Sequence, residues 1–159
     1  MKRHNDLIPL SREHHTGLVF ARRIEKGLKL NADLDVIKSY LISGWESHLS
    51  VHFGLEDSIL NPSIKDKNRQ HSFFLQLESD HKQITELFTL IKNKVPDSKD
   101  LSQFAFLLTE HIRFEEECLF PWIEGLLSEK TLNKIGENLR EGSIEFHPDW
   151  PVKFWTENK

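Results

Sequence analysis

The chain contains one cysteine, Cys118, in 159 residues. A single thiol cannot build an internal disulfide framework, so the fold has to rest on an apolar core. A chain of this length suits one domain that buries roughly two-thirds of its unfolded surface. No apolar run approaches the ~18 residues of a membrane-spanning helix. The first residues, from Met1 to Asp6, lack the apolar stretch of a secretion signal, which makes a cytoplasmic location the default expectation. Neither sign of charge dominates: 21 basic and 25 acidic side chains give a net charge of −4. The charges are interspersed, so the sequence offers no nucleic-acid-binding face and no membrane-surface patch. Tyrosine and methionine occur once each, against nine histidines. The histidines are therefore the place to look.

No stretch alternates with the period of a strand. Apolar residues recur at helical spacing instead. Pro9 and Ser11 mark a helix entry, with Ser11 as N-cap, and the first helix is predicted to run to about Leu30. Asn31 to Asp33 make a turn and cap. A second helix is predicted from Leu34 to Leu60, ended by Pro62, with Gly44 and Gly54 inside it. Each glycine costs about 1 kcal/mol relative to Ala, which points to close packing, a nearby ligand or plain tolerance. Ser63 to Arg69 reads as a charged loop. A third helix follows from about Gln70 to Val95, and Pro96 breaks it. The fourth spans about Leu101 to Leu127, bent near Pro121. A short fifth helix runs from Ser128 to about Arg140. The tail from Gly142, through Phe146, His147, Trp150 and Trp155, reads as a non-helical aromatic strap packed on the bundle, possible cover for one end. The expectation is an all-α, up-down-up-down four-helix bundle with a short fifth helix and an aromatic C-terminal tail. It forms a single domain over residues 1–159, with the bundle at about 10–127 and the C-terminal helix and tail at 128–159.

One pattern occurs twice. His52 is followed by Glu56, Asp57, Leu60 and Pro62, and His111 by Glu115, Glu116, Leu119 and Pro121, at the same offsets. His and Glu four apart share a helix face, so each copy can aim an imidazole and a carboxylate at one point. The bare spacing is weak, because chance supplies such a pair in a histidine-rich chain. The matching prolines strengthen it. So do Glu13-His14 ahead of the first copy and Asp80-His81 ahead of the second, an order that reads as a duplicated helix pair. The predicted inward stripes run Leu41, Trp45, His48, His52, Glu56, Ile59 in the second helix and Phe74, Leu77, His81, Ile84, Phe88, Ile91 in the third. In the fourth the stripe is Phe104, Leu108, His111, Glu115, Cys118, Trp122. A Glu in such a stripe is costly unless paired, protonated or metal-bound. Two of them among several His are best explained together by metal, and imidazole with carboxylate suits iron, manganese or zinc. On the first helix, His14 and His15 compete. Residues at helical offsets from His14 are Leu10, Gly17, Ala21 and Ile24, and those from His15 are Ser11, Leu18, Arg22 and Glu25, which favours His14. Asp57 and Glu116 read as solvated, Cys118 as a small core residue, and His4, His71 and His147 as surface or tail positions.

These residues resemble the hemerythrin family, the HHE cation-binding domain, whose signature is a lone His on helices one and three and His-x-x-x-Glu on helices two and four. The resemblance covers about His14 to Pro121. It implies two iron ions, oxo- or hydroxo-bridged, held by His14, His52, Glu56, His81, His111 and Glu115, with the two Glu bridging. Manganese or zinc would also suit the donors. The chain departs from oxygen-carrying members at Thr85, where they have a second third-helix His. That leaves two His per ion and an open position, with His48 a possible fifth imidazole or a hydrogen-bonding neighbour. The expected function is to bind or sense oxygen, nitric oxide or iron, so the partner is a small diatomic ligand or peroxide. One alternative is a di-iron oxidoreductase of peroxidase or nitrosative-stress repair type, and a second is a metal-stabilised regulatory module.

Overall fold

The computed structural model describes residues 2–143 and 150–157, with backbone alone at 65–67. Every element among the described residues is helical. A 3₁₀ turn at Asn5–Leu7 leads into helix α1, Ile8–Lys29. Helix α2 is built from five consecutive segments, Leu34–Gly44, Trp45–Leu49, Ser50–Leu55, Glu56–Leu60 and Asn61–Asn68. Helix α3 is Ser72–Lys92. Helix α4 joins Ser98–Phe114, Glu115–Leu119 and Phe120–Leu126, and α5 is Glu129–Gly142. Short connections make α1 to α4 antiparallel neighbours in sequence order, and α1 also packs along α4 to close the bundle.

The caps explain most boundaries. Asp33 accepts from the Asp35 and Val36 amides, Asp97 from Lys99, Ser128 from Thr131, and the His71 ring from Phe73. Asn31, at φ 53°, takes the left-handed turn between α1 and α2, which Asn tolerates better than most residues. Ser11 is not the cap of α1. Pro9 lies in the first turn, where its missing N–H costs nothing, and the helix starts one turn earlier than predicted.

Pro62 does not end α2. The turns Glu56–Leu60 and Glu115–Leu119 are π-helical, closed by the Asn61 N–H on the Glu56 carbonyl and the Phe120 N–H on the Glu115 carbonyl. In each copy a proline follows after one intervening residue, Asn61 or Phe120. In α geometry its ring would press on the carbonyl four residues back, and the widened turn moves that carbonyl aside. Helix α2 therefore continues to Asn68, through the stretch predicted as a loop. The same turns change which residues face inward. Four residues advance an α-helix by about 400°, so a run spaced by four drifts about 40° per step. The π turn takes that drift back. The inward runs are thus His52, Glu56, Leu60, Ile64 and His111, Glu115, Leu119, Ile123, all buried. Cys118, expected in the core, is exposed, and Trp122 gives its inward place to Ile123. Trp122 instead stacks on His71, ring centroids 4.1 Å apart.

The buried apolar side chains form two clusters. One gathers around Phe20, Leu41, Trp45, Phe104 and Leu108, the other around Leu10, Leu60, Phe74, Leu119 and Leu132. The buried His and Glu residues sit along the helices between them. Of the C-terminal tail, residues 144–149, Phe146 and His147 among them, lie outside the described residues. Trp150, Phe154 and Trp155 pack on Tyr40. Phe154 also fills the space beside Gly27. Gly27 is roughly 20 Å along α1 from His14 at 1.5 Å per residue, so this strap covers the end of the bundle remote from the polar layer.

The two α2 glycines differ. A Cβ on Gly44 would overlap the Phe20 ring, whereas Gly54 faces open space. Gly54→Ala is expected to raise stability by about 0.5–1 kcal/mol through helix propensity. Gly44→Ala should lower it by about 1–3 kcal/mol through overpacking. Paired urea melts check both signs.

Candidate metal centre

Helical spacing brings six side chains from four helices to one layer. His14 comes from α1, His52 and Glu56 from α2, His81 from α3, and His111 and Glu115 from α4. Both Glu are fully buried, and the four His are nearly so. They form two groups of four: His14, His52, Glu56 and Glu115, then Glu56, His81, His111 and Glu115. Within each group one donor atom per residue lies within 4.8 Å of the others. Both Glu belong to both groups. His15 points outward and is exposed. His48 is buried but belongs to neither group. Its ring bonds the Glu13 backbone and lies 6.4 Å from the His52 ring, and burial lowers its pKa.

Each of the four imidazoles is oriented from behind. His14 Nδ1 lies 2.6 Å from Glu116 Oε1, and His52 Nδ1 lies 2.6 Å from Glu13 Oε2. The pairs on the other side are His81 Nδ1 with Asp57 Oδ1 at 3.0 Å and His111 Nδ1 with Asp80 Oδ2 at 3.1 Å. A carboxylate accepts from an Nδ1–H, which turns the lone pair of each Nε2 into the layer. Asp57 and Glu116, read from sequence as solvated, are two of these acceptors. Glu13 and Asp80, noted there only as neighbours of His14 and His81, are the other two. The arrangement is two-fold: the acid before each lone His serves the His of the next helix, and the acid after each motif Glu serves the lone His of the other half.

The inward atoms lack ordinary partners. His14 Nε2, His81 Nε2, His111 Nε2 and all four oxygens of Glu56 and Glu115 are buried without a hydrogen bond. Yet they crowd together: His14 Nε2 lies 2.8 Å from Glu115 Oε2, His52 Nε2 3.1 Å from Glu56 Oε1, His81 Nε2 3.1 Å from Glu56 Oε2, and His111 Nε2 3.3 Å from Glu115 Oε2. Lone pairs facing lone pairs in a dry layer repel. A cation between them resolves the repulsion, and the donor set fits two ions sharing two carboxylates.

In the metal-free protein, protons take that role. Burial disfavours the charged form of His14, but Glu115, Glu116 and Glu56 outweigh it and hold its pKa well above the usual value. For His52 burial is likewise opposed, by Glu56 and Glu13, and the value rises to about 9. His81 rises to about 10, with Asp57 and Glu56 overcoming burial. Burial opposes ionisation of Glu56 as well, but His52, His14 and His81 keep its carboxyl well below the usual range. At pH 7 these three His are therefore protonated, and a metal must displace their protons. The raised values also mean that the His–Glu pairing stabilises the metal-free fold fully below the unfolded His pKa near 6.5 and loses that contribution as pH rises through about 9–10. Metal affinity should run the opposite way, climbing above pH 7 as those protons are lost. Calorimetric titration at pH 7 in two buffers of different ionisation enthalpy should register about three protons released as the layer fills. No release would show that the Nε2 atoms do not bind metal.

The described residues include no helix long and apolar enough to cross a membrane. A family model described as the hemerythrin HHE cation binding domain matches residues 10–123. No curated protein and no solved structure matches the chain.

Proposed function

The chain belongs to the hemerythrin HHE cation-binding family, and from that premise we propose that it is a non-haem di-iron protein that binds or senses oxygen, nitric oxide or iron. The observation that carries this reading is the inward set of unpartnered donors, with every imidazole fixed at Nδ1 by a carboxylate. His14 and His52 would hold one ion, His81 and His111 the other, and Glu56 and Glu115 would lie between them. Iron bound there would supply the electrons for reaction with a diatomic molecule. The protein residues supply a dry, fixed layer. Phe120 stacks on His14 at 5.3 Å and Phe53 on His81 at 4.1 Å, which restrains both rings and excludes water from their faces. Metal analysis with optical spectroscopy, taken anaerobically and then under air or nitric oxide, tests the reading. Two irons per chain and a ligand-dependent absorption change are expected, and fewer than two metals, or no change with either gas, would sink it.

An oxidoreductase of peroxidase or nitrosative-stress repair type is the second reading. Thr85 favours it, because this exposed residue stands beside His81 where a further imidazole would otherwise close the ion's coordination. Turnover of peroxide with an electron donor separates the two, since a sensor binds without turning over.

A further inference from the structure

The two halves of the layer have matching donors but unequal walls. Behind His14, Glu116 accepts from the Ser11 hydroxyl at 2.7 Å. Arg3 grips the same place: its Nη2 donates to Glu116 Oε2 at 3.1 Å and to the Glu116 carbonyl at 2.7 Å, and its Nη1 donates to Glu124 Oε1 at 2.9 Å. The guanidinium also lies 5.1 Å from the centre of the Phe120 ring, the ring that stacks on His14. Behind His52, Glu13 is 11% exposed and takes the Ser143 hydroxyl at 3.2 Å. Glu116 keeps 30% of its side chain exposed, but Arg3, Ser11 and Ser143 engage both acceptors, so the N-terminal segment and the end of α5 cover this half.

The other half opens outward. Asp57, the acceptor behind His81, is 55% exposed and is held by the Asn61 amide at 3.0 Å. Asp80, behind His111, is 22% exposed, no more than Glu116, so the opening lies at Asp57. A cleft of about 520 Å³ lies between α2 and α3, with Asp57, Asn61, Phe74, Glu78, His81 and Thr85 on its walls. Thr85 turns its hydroxyl back onto the His81 carbonyl at 2.7 Å, so the side chain offers no donor to the layer. An exposed acceptor shares its hydrogen bonds with solvent, so Asp57, at 3.0 Å, orients His81 less firmly than Glu116, at 2.6 Å, orients His14. On the cleft walls the carboxylates of Asp57, Glu78 and Glu86 outnumber the one ammonium, Lys82, which favours a cation there.

We propose that this cleft is the passage through which divalent cations and small exogenous ligands reach the layer. The His81/His111 position is then the exchangeable one, and Arg3 latches the His14/His52 position by holding Glu116. The proposal rests on the two-ion reading above, and it makes the two ions leave in a fixed order. It is opposite to what equal enclosure of the two halves would give.

The test loads the full chain with two equivalents of Co(II) and follows its removal by EDTA in stopped flow. Two phases separated by about tenfold or more are expected, the scale on which outer-shell partners change metal affinity. Thr85→Trp, an exposed substitution that fills the cleft, should slow the fast phase alone. Arg3→Gln should speed the slow phase about tenfold and leave the fast phase unchanged. Glu124→Gln, which loosens Arg3 without removing it, should do the same to a smaller degree and serves if Arg3→Gln lowers the melting temperature. Anomalous scattering from crystals stripped to one equivalent should place the remaining cobalt between His14 and His52. Cobalt remaining on His81 and His111, a single phase indifferent to Thr85→Trp, or equal acceleration of both phases by Arg3→Gln overturns the proposal. Failure of the wild type to take up two cobalt ions overturns the two-ion reading itself, and the proposal with it.

Discussion

Replacing Glu56 and Glu115 together by Ala is expected to empty both metal positions, whereas His14→Ala should empty one. The difference follows from membership: each Glu belongs to both four-residue groups, and His14 to one. Taking about 12 kcal/mol for a site of four protein ligands, each ligand is worth about 3 kcal/mol. The double substitution removes two ligands from each position, so affinity should fall on the order of 10⁴-fold at both. His14→Ala removes one ligand from one position and leaves His81, His111 and both Glu in place. Metal content per chain after exhaustive dialysis reads the difference directly. The fold should survive, because the apolar clusters on either side of the layer do not depend on the two carboxylates. Loss of Glu56 and Glu115 also removes the charges that oppose burial at His14 and His52. With only Glu116 and Glu13 left to oppose burial, both imidazoles should lose their protons at lower pH than in the wild type. Histidine proton resonances report that change. A double variant that keeps two tightly bound ions would show that the shared carboxylates are not ligands.

Four of the six inward residues were legible because a duplicated four-residue spacing marks a helix face without knowledge of the partner helix, and His14 and His81 because apolar residues flank each at helical offsets. The five helices were legible from apolar residues recurring at that period. The differences between expectation and structure have one main cause. Pro62 reads as a helix stop and Pro121 as a bend, yet each follows a π turn that accommodates its ring. An α-helical projection past Glu115 then put Cys118 and Trp122 inside, where the structure has Leu119 and Ile123. A signal was available: the apolar run continues at steps of four beyond the Glu in both copies, which an unbroken α-helix cannot keep on one face. Which end of the bundle the aromatic tail covers could not be read, because nothing local to Trp150 or Phe154 names Tyr40 as a partner. Nor could the roles of Glu13, Asp57, Asp80 and Glu116 be assigned, since each acts across to another helix. Their recurrence in both copies was visible, and two-fold repetition of an acid before each lone His and after each motif Glu is unexpected for residues that merely face solvent.

That repetition yields the second large effect. Glu116→Gln and Glu13→Gln should weaken the His14/His52 position, and Asp57→Asn and Asp80→Asn the His81/His111 position, each about 10–100-fold. An amide oxygen still accepts from Nδ1–H, so the ring keeps its place. It lacks the negative charge that makes Nε2 a better donor to a cation. Glu116→Gln should be the most costly of the four. Although burial opposes its ionisation, His14, Ser11 and Arg3 draw the Glu116 carboxyl down to about 2. The stability tied to that ionised carboxylate is present above the unfolded value near 4.3 and is lost as pH falls through about 2. The variant should therefore blunt acid unfolding at low pH as well as weaken metal binding at neutral pH, a pairing that a packing defect would not produce. Competition with a chromophoric chelator measures the first effect, and acid titration of the metal-free protein measures the second. Uniform weakening of both positions by all four substitutions would contradict the paired geometry, because each acceptor touches an imidazole of one group alone. Loss at the predicted position only, four times over, would establish that each ligand is aimed by an acid from another helix, and that the duplication preserved these aiming contacts along with the ligands.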